Sequence, residues 1–550
     1  MSLSVPPKTT LSEEKAIVEP IEGKSKVDDE PTPKGAEQVI SAYAGWPASK
    51  VIRKFWRLYL RGVLVTFAGI YVGYTNSIPG SIVGNPGFVK QFGTVISAAG
   101  VVSLDANYIG LWGALKFVAQ VVTQAISPIT ANRFGLRFNL WILTLLKLIA
   151  IIVEIVSTTW WHFLIASIFA GLSSGFVGTS VTTYASEIAM PQMRGAALSA
   201  YAFSFALGQL AAAIGLQIIA LTTPYEFRKA FYSQFAILGV WLAVLVFLPE
   251  SPVWLHKQGK VAEAHRSRQR LIGKVEGYDQ EREYKVMAQE IQHSVAQTQQ
   301  SSQYSWVACL KGTNLRRTLI STIPLSMQNF VGVPLMFNVV YFFSLIGMSN
   351  AFTANLIITC VLLGGVLVSF YLVDKVGRRP LLLGGGVVMS ICVFCVGALG
   401  TQRLTSAMGG GMIALVAIWV AAYSVSCAPI GWIALVENST PQLRTQTAGI
   451  AAVLQSCSGV IFTYTVPLML SSQYAGWGAK IGFFFGPLAA IFTGLVYFAV
   501  PETKGRSYAE LDELFERKIP AWRFQVTRTS AQDAVERERE GLQDVAQLRV

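Results

Sequence analysis

Twelve stretches of this chain are apolar over lengths close to the ~20 residues that carry a helix across a bilayer, and that repetition restricts the fold more than any other feature. They run over about 57–76, 107–127, 138–157, 162–185, 196–221 and 231–249. After an interruption they resume over about 317–345, 351–373, 380–400, 410–436, 446–470 and 478–500. Only 14% of the residues are charged, where a soluble domain carries roughly 25%. No water-soluble core accounts for so many long apolar runs, so the chain reads as an all-α polytopic membrane protein with twelve transmembrane helices. The interruption, 251–315, is rich in Lys, Arg, Glu and Gln and shows short amphipathic patterns, which predicts small helices outside the membrane. The segments 1–50 and about 521–550 have the composition of disordered or loosely helical tails.

The formal net charge of +13 sits mostly in loops and tails. Arg133, Arg137 and Arg194 lie in loops of the first group of helices. Lys375, Arg378, Arg379 and Arg444 lie in loops of the second, and Lys257, Lys260, Arg266, Arg268 and Arg270 in the stretch between. With twelve alternating spans all of these fall on one face, together with both tails, and the positive-inside bias makes that face cytoplasmic. The basic charge therefore needs no nucleic-acid partner; the partners expected are the lipid bilayer and a small solute, with the chain a monomer. Met1 to about Ser49 contains no apolar signal-peptide core. Asn438-Ser439-Thr440 spells a glycosylation acceptor on the wrong side of the membrane, and Cys392-x-x-Cys395 lies inside an apolar run, where it reads as packing. No glycine-rich phosphate loop is present, and His162, His256, His265 and His293 are scattered. No cofactor, metal, nucleotide or enzymatic site is expected.

The two groups of helices repeat one another. Asn132-Arg133-Phe134-Gly135-Leu136-Arg137 follows the second helix and Asp374-Lys375-Val376-Gly377-Arg378-Arg379 the eighth. Glu187 precedes Arg194 by seven residues, as Glu437 precedes Arg444, and Pro249-Glu250 ends the sixth helix as Pro501-Glu502 ends the twelfth. Three motifs recurring six helices apart imply parallel repeats: one six-helix bundle over 51–250, a cytoplasmic linker over 251–315, a second bundle over 316–500, and tails over 1–50 and 501–550. Pro501–Phe515, PETKGRSYAELDELF, resembles the closing motif of the sugar porter family of the major facilitator superfamily, and Asp374–Arg379 resembles its loop motif. PESPVWL at Pro249–Leu255, with Val253 where many members carry arginine, and His256-Lys257-Gln258-Gly259-Lys260 after it look most like the fungal α-glucoside and maltose permease branch. So do Tyr184-Ala185-Ser186-Glu187 and Tyr341-Phe342-Phe343.

The resemblance covers roughly 57–517 and implies transport of a sugar, an α-glucoside or disaccharide above others, by alternating access, from a plasma-membrane location. It implies that Arg133, Arg137, Glu187, Arg194, Glu250, Asp374, Arg378, Arg379, Glu437, Arg444 and Glu502 tie the bundles together when the cytoplasmic gate is shut. It places solute contacts at Gln209, Gln328, Trp432 and Gln455, with Asn329 beside them: amides donate and accept as sugar hydroxyls do, and an aromatic face covers a pyranose. The departures matter too. Thr75 and Ser167 stand where proton-coupled members carry ionisable residues, which argues for transport without the usual proton coupling. Ala202 and Pro334 replace polar residues of hexose carriers, which suggests a larger or less polar ligand, and Gly332 with Pro334 weakens the backbone ladder of the seventh helix. Asn132 and Leu136 depart from the loop motif, so locking should be weaker in the first half. Lys147 and Glu154, seven apart, and Lys116 are intramembrane charges; an ion pair near the lipid boundary is the plainer reading, a relocated proton relay the other. Export of a glycosylated or small secondary metabolite, and a non-transporting sugar sensor, are the rival functions.

Overall fold

The computed structural model describes residues 43–530 except 44, 45, 47, 97–101, 191–193, 274, 276, 277, 304, 305, 346–350, 403–405, 441, 442 and 507. Lipid offers backbone groups no hydrogen bonds, so each crossing must satisfy its own, and the apolar runs are helical almost throughout. The first bundle comprises Trp56–Ser81, Ala106–Phe134, Leu136–Val156, Trp160–Ile188, Arg194–Thr222 and Arg228–Phe247. The second has Ala351–Val376, Arg378–Leu399, Ala407–Asn438, Arg444–Leu470 and Gly478–Ala499 as its eighth to twelfth spans. The seventh span is broken. Gly312–Phe330 stops at Val331, Gly332 turns left-handed at φ 107°, and Val333–Phe337 and Val339–Leu345 continue the crossing. The weakness expected at Gly332 and Pro334 is thus a discontinuity.

Packing repeats with the sequence. In the first bundle the first span packs on the fifth, the second on the fourth and the third on the sixth; in the second bundle the seventh packs on the eleventh, the eighth on the tenth and the ninth on the twelfth. The bundles meet through the second and eleventh spans and through the fifth and eighth. Small residues permit the tightest approach: a Cβ on Gly73 would stand 2.1 Å from the Phe205 carbonyl oxygen, and one on Gly208 2.2 Å from that of Ile70.

One apolar cluster, with Val65, Tyr71, Leu143, Tyr184 and Trp241, joins the first bundle to Leu271 and Ile272 of the linker. A larger one joins Ile78, Ile82 and Phe88 of the first bundle to Val340, Phe342 and Phe485 of the second. Its first-bundle members lie at the outer end, where Tyr464 donates to Asn107 at 2.9 Å, Tyr474 to Asp105 at 3.1 Å and Gln217 to Thr353 at 3.0 Å. The halves are therefore latched on the extracellular side.

Two features were not anticipated. The first outer loop carries a short helix, Pro86–Phe92, capped by Asn85, and a two-stranded antiparallel ribbon pairing Val95 with Ser103. The tail expected to lose order from about 521 continues folded to 530: Phe524 packs on Phe515 at 5.0 Å within a buried cluster with Ile320, Leu511 and Leu514. Arg317 at the foot of the seventh span pairs with Asp512, and Arg316 donates to the Ile519 carbonyl at 2.6 Å. Composition could not reveal that single aromatic anchor. Short helices occupy the linker as expected at Pro252–Lys257 and Val261–Ile272, but the third, Gln280–Gln303, runs for 24 residues.

The Gly73 contact generates a prediction. Gly73→Leu forces the first and fifth spans apart and should cost about 1–3 kcal/mol or more, read as a lower melting temperature or loss of monodisperse protein in detergent. Gly239→Ala, where a Cβ would meet nothing within 4 Å, should leave both unchanged.

Candidate functional site

A helix begins with backbone N–H groups that have no partner inside it, and the cytoplasmic loops supply one twice. Gly135 (φ 103°) and Gly377 (φ 112°) turn the chain into the third and ninth spans. Glu250 accepts from the Arg137 amide at 3.2 and 3.3 Å and from Ser251 at 2.9 Å. Glu502 accepts from the amides of Arg378 at 3.1 Å, Arg379 at 3.0 Å and Lys504 at 2.9 Å. The helix dipole favours a carboxylate there, while burial pushes the Glu250 carboxyl above its ordinary range. Both glycines are needed for space as well as for φ: a Cβ would stand 2.5 Å from Glu250 Oε2 at Gly135 and 2.7 Å from Glu502 Oε2 at Gly377. The next contacts repeat too. Ser251 donates to Glu187 and Thr503 to Glu437, both in short hydrogen bonds. The Arg137 guanidinium donates to Val246 O at 3.3 Å and that of Arg379 to Tyr497 O at 2.8 Å.

The halves differ where their sequences do. Arg378 pairs with Glu437 at 3.1 Å and with Asp374 at 3.4 Å. Its counterpart is Leu136, which is buried, and Asn132 offers its carbonyl to Trp254 at 3.0 Å and Gln258 at 2.8 Å. Arg133 lies against the ring of Phe134. Arg444 opens the eleventh span, and the side chain of Arg194 lies outside the described residues. Among the described residues, Arg137, Glu250, Asp374, Arg378, Arg379, Glu437 and Glu502 contact only groups of their own half. The bundle-to-bundle ties expected of a shut gate are not what these residues make in this conformation; they bind three helix ends into one unit in each half.

Deeper in, the broken seventh span gathers the expected amides. Gln328 accepts from the Tyr423 hydroxyl at 3.1 Å, and its Nε2 is buried without a partner among the described residues. Asn329 donates to the Gln455 carbonyl at 2.7 Å and to Ser458 at 2.8 Å. The side-chain amides of Gln455 and Gln209 are half-buried and bond no described residue; Gln209 lies on the fifth span, its backbone near Gly73 of the first. The structure thus groups Gln328, Asn329 and Gln455 in the second half and sets Gln209 in the first. Trp432 is 55% exposed, and its neighbour Gly431 meets the Gln328 amide. The aromatics at Gln328 are Tyr423 and Trp419, stacked with centroids 5.5 Å apart, and Trp419 also caps the broken span through Val331 O at 3.1 Å. Their spacing of four on the tenth span was the legible signal for this pair.

Thr75 and Ser167 are buried and turn their hydroxyls onto their own helices, towards Val72 O and Phe163 O. Lys147 and Glu154 are 2% and 1% exposed, which overturns the placement at the lipid boundary. Nor are they a direct ion pair: Lys147 Nζ donates to the Thr75 carbonyl at 3.2 Å, and Glu154 accepts from Gln234 at 2.7 Å. One face of the third span is buried and the other carries exposed Leu145 and Ile152, so its two charges lie on the face that meets protein.

The asymmetry of the loops is testable. Arg378→Ala removes a charged hydrogen bond from Glu437 and should cost about 2 kcal/mol, whereas Arg137→Ala should cost less than about 0.5 kcal/mol. Thermal melting of the purified variants distinguishes the two.

Comparison with known proteins accords with this geometry. The family model described as "Sugar (and other) transporter" matches residues 62–515. The general alpha-glucoside permease of Saccharomyces cerevisiae is 26% identical over 505 residues, 90% of this chain and 80% of that protein. The maltose permease MAL61 of the same species is 28% identical, covering 90% and 81%. The MFS transporter fmqE of Aspergillus fumigatus is 27% identical, covering 81% and 83%. In fold, the partially occluded inward-open xylose transporter XylE of E. coli superposes with a TM-score of 0.68 at 21% identity, over 82% of this chain and all of that one. With twelve crossings in two repeated bundles and a family match over most of its length, the chain is a multi-pass membrane protein of the sugar transporter family of the major facilitator superfamily.

Proposed function

We propose that the chain carries an α-glucoside, a disaccharide or a related glucoside across the plasma membrane by alternating access, without the proton coupling usual in its family. The observation that carries the solute class is the set of uncommitted amides around the broken seventh span. The side-chain amides of Gln209 and Gln455 and the Nε2 of Gln328 have no partner among the described residues. An amide within the bilayer is costly unless something bonds it, and a hydroxyl-rich solute bonds several at once. Tyr423 and Trp419 add a stacked aromatic surface beside them. The relatives named as alpha-glucoside and maltose permeases favour the larger glucosides over hexoses.

The coupling part rests on Thr75 and Ser167, neither of which exchanges a proton near neutral pH and both of which are bonded back to their own helices. The gating part rests on the paired carboxylates: Glu250 and Glu502 hold each half's cytoplasmic helix ends together, so the halves rock as units about the outer latch.

Two experiments test this reading. In proteoliposomes without a proton gradient, radiolabelled maltose, sucrose or trehalose should show counterflow, and collapsing an imposed gradient should leave uptake intact; a complete loss of accumulation refutes uniport. Gln455→Ala should lower counterflow by at least about tenfold with normal protein in the membrane, and unchanged counterflow removes Gln455 from the site.

A further inference from the structure

The second span carries two amides that the scheme so far leaves out, Gln120 and Gln124, near the middle of Ala106–Phe134. Both residues are half-buried, and the side chain of neither bonds a described residue. Their place around the helix follows from their neighbours. Val118, Val122, Ile126 and Ile129 are exposed and mark the side that meets lipid. At about 100° per residue, Gln120 and Gln124 fall on the opposite side, on one stripe with Gly113 and Phe117. That stripe meets the second half. A Cβ on Gly113 would stand 2.4 Å from the Thr463 side chain, and one on Gly459 would stand 3.9 Å from the Phe117 ring. Side chains turned away from lipid and still partly open line the space between the halves.

Their depth follows in the same way. The Cβ position of Gly459 is also 3.5 Å from Nδ2 of Asn329, so Phe117 marks the level of the second-half amides. Gln120 lies three residues further in along the second span, about 4.5 Å. Gln455 lies four residues further in from Gly459 along the eleventh, about 6 Å. The fourth span holds the pair from its other side. Its Ser174 donates to Asn76 of the first span at 3.2 Å. A Cβ on the next residue, Gly175, would stand 2.4 Å from the Gln120 carbonyl oxygen and 3.0 Å from the Gln124 nitrogen. That close packing fixes the backbone of both glutamines and leaves their amide ends uncommitted. Just beyond, the fourth span loosens into a π-helical turn over Val177–Val181, a distortion frequent at functional sites. Gly178 of that turn is exposed, and Nε2 of Gln124 lies 3.7 Å from where its Cβ would be.

We propose that Gln120 and Gln124 form a second sugar subsite, on the wall of the first half, which takes the ring of a two-ring glucoside that Gln328 and Gln455 do not hold. This rests on the glucoside reading and narrows it to disaccharides. An amide within the bilayer is costly unless something bonds it, and an amide pairs with sugar hydroxyls as donor and acceptor at once. Two of them one helical turn apart suit the hydroxyls of one ring. Phe117, one turn outward, lies 6.0 Å from the ring of Phe337 on the seventh span. The two rings meet across the halves, so a solute that reaches both walls lies on their cytoplasmic side. A single ring bonded to the second half leaves Gln120 and Gln124 unpaired, whereas a disaccharide pairs them.

Counterflow by the full-length protein in proteoliposomes tests this with maltose and methyl α-D-glucopyranoside, which share one ring and differ by the second. The Gln120→Leu/Gln124→Leu double variant should lose at least about tenfold of maltose exchange at limiting concentration and keep that of the methyl glucoside within about twofold. Gln455→Ala should lower both. A double variant that loses both sugars equally, or neither, overturns the inference and leaves the glucoside reading intact. So does a wild type that exchanges the methyl glucoside and not maltose. A wild type that exchanges neither removes the glucoside reading and the subsite with it. A second measurement is independent of any loss of exchange through misfolding. Gln124→Cys should react with a hydrophilic methanethiosulfonate from the cytoplasmic side, above the background of the native cysteines, and maltose should shield it where the methyl glucoside does not. An unreactive cysteine, or one that maltose leaves unshielded, defeats the subsite.

Discussion

A carboxylate beneath the start of a helix is what the moving parts of this protein depend on. Glu250 and Glu502 each collect amide hydrogens from the start of the third or ninth span of their own half and from a residue one or two places further along the chain. Without such a partner, the first turn of the third or ninth span would open its backbone to the water–lipid boundary, where unsatisfied groups are costly. The glycine that permits the turn leaves no space for a side chain, so the motif and the cradle imply each other. With Tyr184 reaching Pro249 O at 2.5 Å and Thr503 reaching Glu437, second, fourth and sixth crossings end in one knot, as do the eighth, tenth and twelfth. Rigid knots of this kind let six helices turn together, which a two-bundle carrier requires.

The crossings were legible because hydrophobic length is a global property of a segment and survives any local rearrangement. The internal repeat was legible because its carboxylates, glycines and arginines sit at fixed offsets. Positions such as Gln328 and Asn329 stood out in the sequence because an amide is conspicuous in an apolar run. What failed were statements about direction. Lys147 and Glu154 share a helical face, and spacing alone says nothing of which neighbours that face meets; the first and sixth spans, remote in sequence, supply Thr75 and Gln234. The folded segment 521–530 escaped notice because its order comes from Phe524 meeting Phe515 and Ile320, a contact between distant stretches of chain.

The interior of the first half illustrates how a carrier can change its chemistry while keeping its frame. The Thr75 carbonyl accepts from Lys147 of the third span, and Glu154 of the same span accepts from Gln234 of the sixth. The second half keeps no comparable charge in its described interior and instead offers amides, hydroxyls and stacked rings around the Gly332 break.

Leu136 has a further consequence. Ion pairs near water weaken as salt rises, with a screening length of about 8 Å at physiological ionic strength, whereas backbone hydrogen bonds and apolar contacts hardly respond. The cytoplasmic base of the second half rests on Arg378 between Asp374 and Glu437, while the same place in the first half is occupied by a buried leucine. The ionic composition of the cytoplasm therefore acts on the ion pairs that Arg378 makes in the second half, for which Leu136 offers no counterpart in the first.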